Sequence, residues 1–238
     1  MLHACYTHVT NRLRRAYSFD PVYPVQVMNG LLVTFEGGEA CGKSTQVALL
    51  AGRLRGAGRE VVTVHEPGST PIGELIRGML LHAREASSLD PRAEVLLFNA
   101  SRAQLVSQVI QPALERGAVV LSDRFVDSTL VYQGFAQNID LRFLDQLSAF
   151  VCASVKIHRT YLLDLDLDLA ESRRLRRVRP VDAHDRMEAK PREFHERVRQ
   201  GYLELARTNP DRIRILDATR PAKELAELIW EDLRGALR

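Results

Sequence analysis

An α/β fold, a parallel sheet with helices on both faces, is predicted for this 238-residue chain by three observations. Short apolar runs of strand length alternate with longer stretches of helical periodicity, the order that sets strands side by side with crossover helices between them. The first such run, Leu31-Leu32-Val33-Thr34-Phe35, leads directly into Gly37-Gly38-Glu39-Ala40-Cys41-Gly42-Lys43-Ser44, and a periodic helix opens at Lys43. With 45 % hydrophobic residues the chain can bury a full core, and one domain accounts for its length.

Taken in order, Lys43 to Arg55 carries Val47, Leu50, Ala51 and Leu54 on one helical face and ends near Gly56 and Gly58. Val61-Val62-Thr63-Val64 is the second strand. Thr70 caps a helix that begins at Pro71 and runs to about Leu81, because proline is welcome at a first helical position. A longer helix spans Asp90-Pro91 to about Gln111. Ala118-Val119-Val120-Leu121 is the third strand, with Ser122-Asp123-Arg124 at its carboxyl end, the edge where open α/β sheets bind ligands. Asp140 to Phe150 is helical, and Tyr161-Leu162-Leu163 is a fourth strand ending at Asp164. Helices at about Asp168 to Arg177 and Pro191 to Arg207 enclose a polar stretch, and Ile213-Arg214-Ile215-Leu216 with Pro221 to Leu237 completes the pattern.

The segment Met1 to Val27 stands apart, with Pro21, Pro24, Arg12, Arg14 and Arg15 but no apolar signal core. It reads as a disordered or over-extended start, with Met28 a plausible alternative start to one domain at 28–238. Net charge is +3, from 33 basic and 30 acidic side chains, so no global field favours nucleic acid or a membrane surface. Of those cations 29 are arginine, which makes Lys43, one of four lysines, the more telling. Cys5, Cys41 and Cys152 have no paired or metal-ligand spacing, and no apolar run approaches membrane-spanning length. A reducing, cytoplasmic setting is expected.

The chemistry begins at the glycine-rich loop. Gly, four residues, then Gly-Lys-Ser lets successive backbone N–H groups converge on phosphate oxygens, Lys43 reach the terminal phosphates and Ser44 hold Mg²⁺, with a helix N-terminus behind them. A nucleoside triphosphate is the implied ligand. Asp123 offers a carboxylate for a metal-bound water and Arg124 a guanidinium that forks onto phosphate, so the two motifs should face one another. Glu66-Pro67-Gly68-Ser69-Thr70 joins a stiff turn to a helix start and suits a substrate-closing loop. Phe98 and Arg102, at i and i+4, put an aromatic face and a cation on one side of a helix, enough to stack on a base and bond to it; by spacing alone Phe98 is core. Arg173, Arg174, Arg176, Arg177 and Arg179 precede Asp185-Arg186-Met187-Glu188. Such a cluster is a solvated face or, more sharply, a mobile lid that carries cations to a transferred phosphoryl group.

Phe35-Glu36-Gly37-Gly38-Glu39, the Glu66 to Thr70 turn, Asp123-Arg124-Phe125 continuing to Tyr132-Gln133-Gly134, and Asp185-Arg186-Met187-Glu188 together resemble bacterial thymidylate kinases in order and spacing. The similarity continues through Phe194-His195 and Gly201-Tyr202-Leu203-Glu204-Leu205-Ala206, covering essentially 28–238. It implies a P-loop nucleoside monophosphate kinase fold with a five-stranded parallel sheet, a lid at about 173–190, a homodimer, and phosphorylation of dTMP to dTDP with ATP and Mg²⁺. On this reading Gly37, Gly38, Glu39, Ala40, Cys41, Gly42, Lys43, Ser44 and Thr45 hold the ATP phosphates, Ser44 and Asp123 serve the metal, and Arg173, Arg177 and Arg220 border ATP. Glu39 lies near the acceptor 3′-hydroxyl and Arg124 grips the acceptor phosphate. Phe98 stacks on thymine, Arg102 bonds its edge, Tyr132 packs under the deoxyribose, and Glu66, Thr129 and Gln133 complete the acceptor site. Lys43, Arg124, Glu39 and a lid arginine, Arg177 or a neighbour with Arg186, are the catalytic set.

The chain departs from the family pattern where Ala40-Cys41 stands for a common Gly-Ala, His65 for Arg, Ser69 for Gly and Phe125 for Tyr. Ala40 is expected to occupy a conformation that Gly adopts freely, at a cost on the order of 1 kcal/mol if its φ is positive. Cys41, at a helix N-terminus, is expected to be an oxidisable thiol. Two other readings compete: a kinase for a different nucleoside monophosphate, and a nucleotide-binding regulatory module whose altered loop no longer transfers phosphate.

Overall fold

A computed structural model of the chain describes residues 28–83, 88–176 and 185–237. The expected N-terminal extension and the middle of the expected lid, 177–184, lie outside the described residues. Five strands, β1 Leu31–Glu36, β2 Val61–His65, β3 Val119–Asp123, β4 Ile157–Asp164 and β5 Ile213–Asp217, form one sheet in the order β2-β3-β1-β4-β5. Every pairing is parallel. Parallel neighbours require crossovers, and helices supply them: α1 Lys43–Gly56, α2 Pro71–Arg77, α3 Pro91–Leu105, α4 Gln111–Glu115, α5 Val126–Thr129, α6 Leu141–Cys152, α7 Leu167–Leu175, α8 Arg192–Thr208 and α9 Ala222–Leu233.

Alternate strand residues point to opposite faces, so each strand contributes to two cores. Val33, Phe35, Val119, Leu121, Tyr161 and Leu163 pack beneath α1 and α9, against Leu50, Leu54, Ile229 and Leu233. On the other face Leu32, Val64 and Val120 meet Leu105, Ile110 and Leu114, while Leu162 and Ile213 meet Phe194, Val198 and Leu205 of α8. The helical face read from the sequence of α1 is the one buried: Val47, Leu50, Ala51 and Leu54. Thr70 caps α2 as expected, its Oγ1 accepting from Gly73 N at 3.0 Å. Asp90 and Asp140 do the same for α3 and α6.

Three wide π-type turns among the described residues were not visible in the sequence. Gly78–His82 extends α2, Val106–Ile110 joins α3 to α4, and Leu130–Phe135 extends the short α5. The last of these turns Tyr132 and Gln133 inward, where they are 6 % and 2 % exposed.

Candidate active site

β1 is central, and the loop after it opens at the carboxyl edge of the sheet. Gly37 has φ 135° and Gly42 φ 101°, both in the region that favours glycine. A Cβ on Gly37 would come within 2.4 Å of the Leu163 carbonyl oxygen, so β4 packs directly on the loop backbone. Ala40 does take the left-handed conformation, with φ 55°. Lys43 Nζ folds back over the loop, donating to Gly38 O at 2.7 Å and Gly37 O at 3.3 Å. Ser44 and Thr45 stand exposed in the first turn of α1. Cys41 is only 2 % exposed and its thiol donates to Gly38 O at 3.1 Å, so burial keeps it from solvent oxidants and corrects the expectation of an oxidisable thiol.

β3 pairs with β1 in a register that brings Asp123 beside Phe35, and so beside the loop. Ser44 Oγ donates to Asp123 Oδ2 at 2.6 Å. Arg124, at φ 73°, reaches back: Nη2 pairs with Glu39 Oε1 at 2.6 Å, and Nη1 donates to Gly37 O at 3.1 Å, Tyr202 OH at 3.2 Å and Ser128 Oγ at 3.3 Å. Its guanidinium carbon lies 5.2 Å from the Tyr132 ring centroid. The two motifs therefore face one another.

A cavity of about 870 Å³ extends from Lys43, Ser44 and Asp123 past Arg124 to Phe98, Tyr132 and Gln133. Glu66 and Arg102 form its buried wall. Arg102 is 2 % exposed and its guanidinium is held on every side, by Glu66 Oε2 at 2.8 Å from Nε and 2.7 Å from Nη2, Thr129 Oγ1 at 3.0 Å, Phe125 O at 3.1 Å and Asn99 Oδ1 at 3.3 Å. Burial raises the Glu66 carboxyl above its ordinary value against the opposing pull of Arg102. Glu66 Oε1 is buried with no hydrogen-bond partner, an orphaned acceptor at the cavity wall. Phe98 is half-buried and joins the surrounding core with one side toward the cavity.

The thymidylate kinase family model matches residues 35–229. The chain belongs to the thymidylate kinase family. It is 48 % identical over 201 residues to thymidylate kinase from Deinococcus radiodurans, covering 84 % of this chain and 95 % of the relative. Thymidylate kinase from Syntrophotalea carbinolica is 42 % identical over 207 residues, covering 86 % and 95 %. A crystal structure of thymidylate kinase from Ehrlichia chaffeensis superposes with a TM-score of 0.66 at 32 % identity, over 84 % of this chain and 98 % of that one. The five-stranded parallel sheet is thus the P-loop nucleoside monophosphate kinase fold.

In this thymidylate kinase fold the remaining sequence-selected residues are spread more widely. Arg173 donates to Ala218 O at 2.9 Å, tying the end of α7 to the turn after β5, and Arg220 pairs with Glu224 at 2.6 Å. Arg177 lies outside the described residues. Arg186, expected near the transferred charge, instead forms an ion pair with Glu94 on α3 and donates through Nε to Leu80 O at 3.1 Å. The structure thus sets it against α3 and the extension of α2.

Sequence reasoning missed two buried acids. Glu36 accepts from Phe125 N at 2.8 Å, Ser128 Oγ at 2.7 Å and Tyr202 OH at 2.7 Å, directly behind Arg124. Burial, reinforced by Asp127, pushes its carboxyl up to about 7. Its signal was a charged residue closing an apolar strand. Glu94 had no signal beyond its place on the inner face of α3. Arg77 was also missed; it lines the cavity and donates to Pro67 O at 2.9 Å.

Proposed function

We propose that this chain transfers the γ-phosphoryl group of ATP to the 5′-phosphate of dTMP, giving dTDP and ADP. Membership of the thymidylate kinase family supports the reaction. The observation that carries the reading is Arg124, which touches the phosphate loop through Gly37 and Glu39 while its guanidinium lies over Tyr132 in the wall of the large cavity. One cation therefore serves a donor phosphate on one side and an acceptor phosphate on the other.

Gly37 through Thr45 cradle the donor phosphates with backbone N–H groups, and Lys43 turns from the loop carbonyls to the β- and γ-phosphates. Arg173 and Arg220 border the adenosine, and Arg177 is the lid cation proposed for the transferred group. Ser44 and Asp123, already 2.6 Å apart, suit Mg²⁺, which takes few protein ligands and completes its shell with phosphate and water. When bound, that ion neutralises charge on the transferring phosphate. The chain's own task is to align an ionised acceptor oxygen, hold it and exclude water. Arg124 grips the acceptor phosphate, Glu39 orients Arg124 and meets the 3′-hydroxyl, Tyr132 packs under the deoxyribose and Phe98 stacks on the base. Thr129 and Gln133 address the base edge; Arg102, expected to bond that edge, has every N–H taken by the protein and instead holds Glu66 in the wall, where the orphaned Oε1 supports a role as an acceptor from ligand donors.

A homodimer is the proposed assembly. Ile72, Leu75 and Met79, with Leu96, Phe143 and Phe150, leave large apolar side chains exposed on α2 and its extension, α3 and α6, which pack side by side. Among the described residues no helix is long and apolar enough to cross a membrane, and the cytoplasm is the proposed compartment.

The reading is tested by ADP release from purified protein given MgATP with dTMP, dUMP, dCMP, dGMP or AMP. Release that depends on dTMP supports it. Equal release without acceptor indicates an ATPase, and nucleotide binding without release indicates a regulatory module.

A further inference from the structure

Glu94 is a buried carboxylate that phosphoryl transfer does not use. It lies on α3, 1 % exposed, one turn before Phe98. Its two oxygens divide their partners: Oε1 accepts from Gln133 Nε2 at 2.8 Å and Gln137 Nε2 at 2.7 Å, and Oε2 accepts from Arg186 Nη2. The Arg186 backbone N–H in turn donates to Leu81 O at 3.1 Å, so the segment that starts at Asp185 is held against the extension of α2. An ionised carboxylate only accepts, and both glutamines must therefore present their NH₂ groups to it. For Gln133, which is 2 % exposed and lines the main cavity, that choice leaves the amide carbonyl as the end available to a ligand. Burial opposes the charge on Glu94, but hydrogen bonds from Gln133, Arg186 and Gln137 outweigh it and hold the carboxyl below its ordinary value.

We infer that Glu94 is a positioning residue for the nucleobase: it fixes the Gln133 amide with its carbonyl toward the base and, through Arg186, anchors residues 185–190 to the acceptor wall. The inference rests on the proposed dTMP reaction and adds a source of base selectivity to it. A carbonyl oxygen at this point favours a pyrimidine whose N3 carries a hydrogen, as in thymine and uracil. Cytosine presents a lone pair there and leaves two acceptors facing each other. Glutamine at position 94 would keep the shape but supply an NH₂ of its own, so Gln133 would no longer be held in one orientation.

The test compares wild type with Glu94→Gln for the KM of dTMP, the KM of ATP and the inhibition constant of dCMP against dTMP, with thermal unfolding to establish that the variant is folded. The expected result is a rise of about tenfold in the KM of dTMP, an ATP KM within about twofold of wild type, and a dCMP-to-dTMP ratio lowered by about tenfold. A folded variant with wild-type KM values and ratio overturns the inference. So does a parallel change in both KM values with the ratio intact, because that is what a general structural loss produces. Should Glu94→Gln fail to fold, Gln133→Met removes the amide without adding charge, and an unchanged dCMP-to-dTMP ratio in that variant overturns the inference equally. Wild-type protein that forms no dTMP-dependent ADP would instead defeat the proposed reaction itself.

Discussion

Arg124 and Glu39 form an ion pair of 2.6 Å that ties the end of β3 to the phosphate loop. Both side chains keep some exposure, 16 % and 26 %, so the pair borders the cavity rather than the core. Lysine at position 124 could replace the charge but not the fork that reaches Glu39, Gly37 and Tyr202 together. Arg124→Lys is expected to lower kcat/KM for dTMP by about a hundredfold or more. Steady-state kinetics checks this, and a loss under threefold contradicts it.

Lys43 is only 7 % exposed, yet its partners are two loop carbonyls and the Cys41 sulfur rather than a carboxylate. Losing them costs little fold stability, because backbone carbonyls at the site edge can turn to water. Lys43→Ala should reduce turnover by about a hundredfold or more while leaving the melting temperature nearly unchanged. Near-normal turnover would refute the role.

Glu36 links the site to pH. Its folded value of about 7 exceeds the ordinary 4.5, chiefly through burial, so the protonated carboxyl is the form that suits the fold. Its contribution is fully present below pH 4.5 and is lost as pH rises through 7, a change on the order of 3 kcal/mol. Glu36→Gln, which cannot ionise, should therefore gain stability relative to wild type by that amount between pH 5 and pH 8. Urea unfolding at several pH values measures the difference, and a gap that stays constant with pH rejects it.

The fold was legible because its signals are local. Apolar runs and 3.6-residue periodicity mark the strands and the helices at Lys43, Pro71, Leu141, Arg192 and Ala222, and only the ends differ by a few residues. The wide turns were not legible, since one extra residue per turn leaves no composition signature, and they decide where Tyr132 and Gln133 point. The phosphate loop, Asp123 and Arg124 were legible as motifs. The ion pair of Arg186 with Glu94, 92 residues apart, and the five contacts that occupy Arg102 were not, because partner choice is settled by tertiary packing.

Ala40 is a strain that sequence reading did anticipate. At φ 55° its Cβ crowds the backbone, at a cost of about 1–2 kcal/mol that glycine avoids while losing somewhat more chain entropy. Ala40→Gly should stabilise the protein by up to about 1 kcal/mol. Denaturant midpoints test it, and net destabilisation would show that the Ala40 side chain contributes packing that exceeds the strain.

Direct transfer between two nucleotides that share Arg124 is the central claim, and one labelling experiment reaches it. In a single turnover with γ-³²P ATP, Mg²⁺ and dTMP, the account predicts that the label leaves ATP only as the β-phosphate of dTDP, in equal amount to ADP. Label recovered as inorganic phosphate, with dTMP unchanged, would contradict it.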